Sequence, residues 1–267
     1  MVVCNLHIVS LKQSISVPAF LAGLRKHDVK PIVQAQVLRW MILPTQLSAG
    51  YLLSRNIQWH LLLGLNASDS IPSSLQQHVE AAWTASCGVS ARVLSDYAKH
   101  NAALLNPSPG SVKPAQLPAV SDTSNSQNLE FSPELENWIA KLAPPLRNHP
   151  VSMLNLLAFN EGKKDQYIKY GTEFSSRVGA RHGGNVKIAA RVVGGEDQQA
   201  QHDGWDEVAF VHYPTVKHFA AMSASPEYQE VNRKYRLGAL KDTFILCVAE
   251  IDDDGQLMGG RGIKGKL

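Results

Sequence analysis

Between Val2 and Val9, apolar and β-branched residues are interleaved with Asn5 and His7, a period-two pattern that predicts a strand with one polar side. Val17, Phe20, Leu21 and Leu24 then recur at helical spacing, with Pro18 in the first turn, where its missing N–H does no harm. After Pro31 the run IVQAQVLRWMIL sets Val33, Ala35 and Val37 against Gln34, Gln36 and Leu38, predicting a second strand that ends near Pro44. Residues 45–55 show no period and are expected as an irregular connection. IQWHLLLGL, residues 57–65, predicts a third strand. Behind a Ser-rich cap, IPSSLQQHVEAAW places Leu75, Val79 and Ala82 on one helical face, and a fourth strand is expected over Val89–Leu94.

The same alternation of periods returns after Ser132-Pro133-Glu134. Leu135, Trp138, Ile139 and Leu142 share a helical face until Pro144-Pro145, where the helix is expected to stop. Strands follow at Val151–Phe159, Val186–Val193, Trp205–Tyr213 and Thr243–Ile251, with helices from Lys163 to Arg177 and, broken at Ser225-Pro226, from Thr215 to Leu240. Each half reads β-α-β-β-α-β, the order of a ferredoxin-like module, so the fold class is α+β with two such modules in tandem. Asn5-Leu6 in the first strand is echoed by Asn155-Leu156, a faint sign of duplication. Residues 106–131 hold four prolines and clustered Ser and Asn without an apolar face, the composition of a linker. The expected organisation is a first module over 1–105, a linker over 106–131 and a second module over 132–267.

Composition narrows the class. A chain of 267 residues with 44% hydrophobic content has material for packed cores in both halves. The net charge of +3 is small, and the one dense basic patch is Arg261, Lys264 and Lys266 among glycines, expected as a flexible tail; nucleic-acid binding is not indicated. Cys4, Cys87 and Cys247 are odd in number and far apart in apolar runs, which fits neither a disulfide framework nor a zinc site and points to a reducing compartment. The first residues enter a strand pattern without a basic leader, and no apolar run reaches the roughly 18 residues of a membrane span. A soluble cytoplasmic protein is expected.

Several short motifs stand in order in the second half: Gly183-Gly184 before its second strand, Gly194-Gly195 after it, Trp205-Asp206 opening the third, Tyr213-Pro214-Thr215 at its end, and Ser225-Pro226-Glu227-Tyr228-Gln229 in the helix that follows. By these residues the stretch 148–251 resembles the DUF1330 group of the dimeric α/β-barrel superfamily, especially longer fungal members with two modules. Many members carry an acidic residue before the aromatic-Pro pair; this chain has His212 there. The resemblance implies two ferredoxin-like modules packed into one barrel, here within the chain, as a monomeric pseudo-dimer or a homodimer of such units. It also implies a pocket between sheet and helices of the kind used by monooxygenases, dehydratases, decarboxylases, isomerases and non-catalytic binders.

The candidate chemistry gathers at a strand-to-helix corner. His212 is the candidate general base or acid, with Tyr213 and Tyr228 as donors to a developing oxyanion; a structural histidine beside core tyrosines is the alternative. Asn155, Tyr170, Arg191 and Trp205 are candidate substrate-binding residues, with Lys187 on the same face of its strand as Arg191 by the period of two, and Arg177 near the mouth. His7, His60 and Trp59 form a weaker candidate pocket in the first half. The histidines show no metal-ligand spacing, and no Gly-rich nucleotide loop or nucleophile elbow occurs, so neither metal nor cofactor is expected. The expectation is a cofactor-independent lyase, isomerase or cyclase acting by proton transfer on a small apolar, aromatic or polyketide-like metabolite. A non-catalytic binding or stress-associated barrel and a cofactor-free monooxygenase are the alternatives.

Overall fold

The computed structural model describes residues 1–53, 56–117, 129–194 and 199–260. In chain order these form β1 (Val2–Leu11), α1 (Val17–Lys26), β2 (Val33–Ile42), α2 (Gly50–Leu53), β3 (Leu61–Asn66), α3 (Ser73–Gln76), β4 (Val79–Val89) and α4 (Ala91–Leu105). The second half continues with α5 (Pro133–Lys141), α6 (Pro144–Arg147), β5 (Val151–Phe159), α7 (Lys164–Glu173), α8 (Ala180–His182), β6 (Asn185–Val192), α9 (Gln199–His202), β7 (Glu207–Tyr213), α10 (Val216–Ser223), α11 (Pro226–Val231) and β8 (Leu240–Glu250). Two π-helical turns, Phe174–Gly179 and Asn232–Arg236, extend the helices before them.

All the strands join one closed antiparallel barrel in the order β1-β3-β2-β8-β5-β7-β6-β4. The first half contributes β4-β1-β3-β2 and the second β8-β5-β7-β6, the same permutation twice. Closure depends on two seams. One is long, running from Ala35↔Glu250 to Ile42↔Ile245 between β2 and β8. The other, between β4 and β6, has only Cys87↔Val192 and Gly88↔Arg191 in register.

The alternation expected of a half-buried strand appears on β4, where Ala81, Trp83, Ala85 and Cys87 point inward. Ile8, Leu62 and Trp83 from the first half pack inside the barrel with Leu154, Phe210 and Leu246 from the second. Outside it, α1 and α3 cover the first half with Phe20, Leu21, Leu24 and Leu75. The helices of the second half cover its sheet with Phe174, Val178, Phe219 and Tyr228. Serine caps start three helices: Ser16 accepts from the Ala19 N–H at 3.3 Å, Ser132 from Leu135 and Ser225 from Tyr228, both at 3.2 Å.

Three elements differ from expectation. The helix expected over residues 71–83 shrinks to α3, because Val79–Val89 pairs along its whole length with β1 and is needed to close the wall. The strand expected at Val89–Leu94 ends at Val89, and α4 takes its place, burying Tyr97, Asn101 and Leu105 at i, i+4 and i+8. The connection expected to be irregular over 45–55 contains the short helix α2; α5, by contrast, ends at Lys141 before Pro144-Pro145 as expected, and Pro144 opens the separate turn α6. Of the expected linker, residues 106–117 are irregular and 118–128 lie outside the described residues, as does the basic tail at 261–267.

One polar tie locks the β2–β3 connection to β8. The buried Asp242 carboxylate accepts from the backbone N–H groups of Thr45 (3.0 Å), Gln46 (2.6 Å), Leu47 (2.7 Å) and Thr243 (2.9 Å). Successive amides converging on one carboxylate make a cradle for negative charge.

Candidate functional site

The barrel interior is largely filled. Trp40 stacks on Phe244 with ring centroids 4.3 Å apart, Trp205 lies 6.3 Å from the same ring, and Trp83 donates its Nε1 hydrogen to Asp203 at 2.9 Å. A cavity inside the barrel has about 30 Å³ and is bounded by apolar atoms, among them those of Cys4, Leu62, Cys87, Leu154 and Phe210. That is room for about two waters, against roughly 300 to 1,000 Å³ for a metabolite pocket. A metabolite therefore does not fit inside the barrel in this conformation.

Polar groups collect at the end of the barrel covered by α4. A β-bulge between Val186 and Ile188 inserts Lys187 as an extra residue and turns it inward. Its Nζ donates to Glu250 on β8 and, at 3.1 Å, to Asn101 on α4; Asn101 donates in turn to the other Glu250 oxygen at 2.5 Å. The three side chains form a closed ring of hydrogen bonds with Lys187 and Glu250 almost wholly out of solvent. The ammonium also faces the Phe210 ring at 4.3 Å and that of Tyr97 at 6.0 Å. Burial pulls the Lys187 pKa down, and Glu250 partly restores it.

Two buried polar atoms near this ring, the Tyr97 hydroxyl and His212 Nδ1, have no hydrogen-bond partner among the described residues. His212 lies on the inner face of β7, two residues beyond Phe210, opposite Asn185, whose Oδ1 is 2.9 Å from the His100 ring on α4. Burial, with Lys187, His100 and His218 nearby, pushes the His212 pKa down to about 3. The imidazole is neutral at ordinary pH and a weak base, ill matched to general-base work near pH 7.

The cluster has an approach from solvent. A groove of about 810 Å³ runs between α4 and the ends of β2 and β8, lined by Arg25, Gln34, Tyr97, Asn101, Glu250 and Asp252 among others. Ile32 and Leu94 line both this groove and the small interior cavity, so these two side chains separate them.

The structure disperses the other residues singled out in the sequence. Tyr213, next to His212, points to the opposite face of β7, edge-on to Phe219 at 5.3 Å, in the layer between sheet and helices. Tyr228 shares that layer, its hydroxyl 3.5 Å from that of Tyr170. His212, Tyr213 and Tyr228 therefore do not form one cluster. Tyr170 and Tyr228 instead surround the buried Arg236, which donates to Asn232 and Thr243 at 3.4 Å each and meets no carboxylate among the described residues. Burial raises the pKa of Tyr213 and Tyr228 well above the ordinary phenol value, so both stay protonated.

Asn155 is occupied in tying backbone, donating to the carbonyls of Met153 (3.0 Å) and Ala209 (3.2 Å). Trp205 plugs the barrel end against Phe244. Arg191 is exposed beside a separate groove with Glu161 and Asp206, because the bulge at Lys187 breaks the period that would have put the two cations on one face. Arg177 is also at the surface, paired with Glu173 at 3.0 Å. In the first half His60 Nδ1 accepts from the Leu11 N–H at 3.0 Å and Trp59 donates to the Leu52 carbonyl at 2.8 Å, both structural ties. Burial lowers the His7 pKa to about 4. No group of His, Cys, Asp and Glu able to hold a metal occurs among the described residues, and no helix there is long and apolar enough to cross a membrane.

The histidines imply an acid sensitivity that can be measured. His212 and His7, with folded pKa values near 3 and 4 against 6.5 unfolded, bind fewer protons folded than unfolded between those values. Stability is therefore expected to fall as pH drops through about 6.5 toward 4, by at most about 1.4 kcal/mol per pH unit for each group. Melting temperatures at pH 7 and pH 5 check this. His212→Phe is expected to shrink the difference; an unchanged difference would mean that His212 is solvated.

No protein-family model and no curated protein matches this chain. Among solved structures, a protein of unknown function from Rhodopseudomonas palustris is similar at 26% identity over 44% of this chain and 94% of its own, with a TM-score of 0.34. A candidate monooxygenase from Lactobacillus acidophilus is similar over 99% of both chains at 8% identity and a TM-score of 0.46. Another, from Fusobacterium nucleatum, covers 99% of this chain and 98% of its own at 7% identity and a TM-score of 0.44.

Proposed function

We propose that this chain binds a small, largely apolar metabolite with one polar end, and that the site is the polar cluster under α4. The observation that carries the reading is a pair of buried atoms without a partner among the described residues: the Tyr97 hydroxyl, whose residue lines the groove with Asn101 and Glu250, and His212 Nδ1, deeper in, within charge range of Lys187. Buried polar groups are nearly always hydrogen-bonded, and leaving one unmatched costs about 1 to 3 kcal/mol. A ligand whose polar end met both atoms would recover that cost. Its apolar part would press on Ile32 and Leu94 toward the dry cavity.

The architecture that goes with this reading is two ferredoxin-like modules, 1–105 and 132–267, joined by 106–131 and closed as an intramolecular barrel. The twice-repeated strand permutation supports it. The left-handed Gly183 (φ 72°) and the Ser225-capped helix support a second module of DUF1330 type.

Turnover by proton transfer, of the lyase, isomerase or cyclase type, is the second reading. The buried Lys187–Glu250 pair favours it, since a desolvated amine in direct contact with a carboxylate has a partner for passing a proton. That chemistry requires no cofactor. A cofactor-free monooxygenase has no residue in this site that speaks for it.

A panel of small aromatic and aliphatic carbonyl compounds in thermal-shift and product assays tests the proposal. His212→Phe, which removes an unpartnered nitrogen, is expected to leave the melting temperature at neutral pH unchanged or higher while weakening ligand binding about 10- to 100-fold. A variant that melts earlier and binds normally would return His212 to a structural role.

A further inference from the structure

We infer that Lys187 is a carbonyl-capturing amine, condensing through Nζ with an aldehyde or ketone that enters from the groove under α4. The inference rests on the binding reading above and adds the class of ligand.

Lys187 sits one contact behind the groove surface. Two of the residues lining the groove, Asn101 and Glu250, hold its Nζ, so a ligand that displaces either contact meets the amine directly. The rings of Phe210 and Tyr97 wall the nitrogen at 4.3 and 6.0 Å, which keeps water from an imine once it forms. A buried ion pair in an apolar barrel adds little stability compared with packed apolar side chains, so stability alone does not account for it.

Condensation needs a neutral amine and a proton donor, and the cluster has both. Burial disfavours charge on Lys187 while Glu250 favours it, and a ligand that displaces water around the pair tips the balance, the ammonium handing its proton to the carboxylate that it already contacts. The Nζ lone pair then attacks the carbonyl carbon, the C=O π pair moves to oxygen, and protonated Glu250 supplies the proton for that oxygen, while the Tyr97 hydroxyl, whose own proton burial holds in place, donates a hydrogen bond to it. In the second stage the nitrogen loses a proton to the Glu250 carboxylate, which passes it to the hydroxyl; the C–O bond breaks, water leaves, and the iminium returns its proton to Glu250. Amine plus carbonyl become imine plus water, with no change of oxidation state.

The full-length protein is treated with limiting benzaldehyde and sodium borohydride at neutral pH, then digested and mapped by mass spectrometry. Lys187 is expected to carry the N-benzyl group at least about ten-fold over exposed lysines such as Lys26, Lys99 and Lys241, which have no walled site to hold the carbonyl against the amine. Tyr97→Phe keeps the ring and removes the hydroxyl, and is expected to slow labelling of Lys187 about 10²-fold without touching the exposed lysines. Labelling spread over exposed lysines with Lys187 unmodified overturns the inference. Benzyl alcohol, which has no carbonyl, separates the two levels of failure. If it binds and protects α4 from hydrogen exchange while Lys187 stays unlabelled, the carbonyl chemistry is wrong and the binding site stands; if neither compound binds there, both fall.

Discussion

Glu250→Ala is expected to cost about 3 to 5 kcal/mol of folding stability, because it leaves the Lys187 ammonium buried with only Asn101 and two ring faces for company. At this chain length that corresponds to a fall in melting temperature of roughly 10 °C. Removing both charges should cost far less. The double variant Lys187→Met with Glu250→Leu is expected to return within about 1 to 2 kcal/mol of the natural protein or above it, since desolvation is then avoided. It is also expected to lose ligand binding entirely. Urea denaturation of the two variants checks the pair, and a Glu250→Ala loss below about 1 kcal/mol would mean that the ion pair is solvated.

Asp242→Ala is the second large loss. Four backbone N–H groups converge on that carboxylate, and three of them belong to the segment Thr45–Leu47 that joins β2 to β3. Charge-assisted hydrogen bonds are worth roughly 1.5 to 3 kcal/mol each, and some of the freed amides find water, so a net cost of about 3 to 5 kcal/mol is expected. Asp242→Asn keeps one acceptor oxygen and should fall between the two. The amides of Thr45, Gln46 and Leu47 should exchange with solvent much faster in both variants. Unchanged exchange there would show that the segment is held by other contacts.

The sequence made the second half readable because its strands alternate cleanly and its helices begin at Ser-Pro or Pro-Thr boundaries. Ser132 and Ser225 do cap α5 and α11. The first half misled around residues 71–105 because local signals conflicted. Leu75, Val79 and Ala82 fit a helix as well as Val79, Ala81 and Trp83 fit a strand, and pairing with β1 decided the matter. Past Val89, β-branched Val93 favoured a strand, while Ser90 and the spacing of Tyr97, Asn101 and Leu105 carried the helical signal that prevailed.

The site was only partly legible. His212 was identifiable as a polar residue inside a buried strand, yet the period of two already placed Tyr213 on the other face of β7. Lys187 was grouped with Arg191 because a bulge leaves no mark in the sequence. Asn101 and Glu250 are 149 residues apart and meet only because the barrel closes. Tyr97 lies on α4, whose first residues carry a strand signal that hides the helix.

The most direct measurement is a crystal structure of the full-length chain with the panel compound that raises its melting temperature most. Density is expected under α4, within hydrogen-bond reach of the Tyr97 hydroxyl and His212 Nδ1, with Leu94 and Ile32 moved toward the small apolar cavity. Density in the layer around Arg236 and Tyr228, or in the groove beside Arg191, with the Lys187–Glu250–Asn101 ring undisturbed, would contradict the assignment of the site.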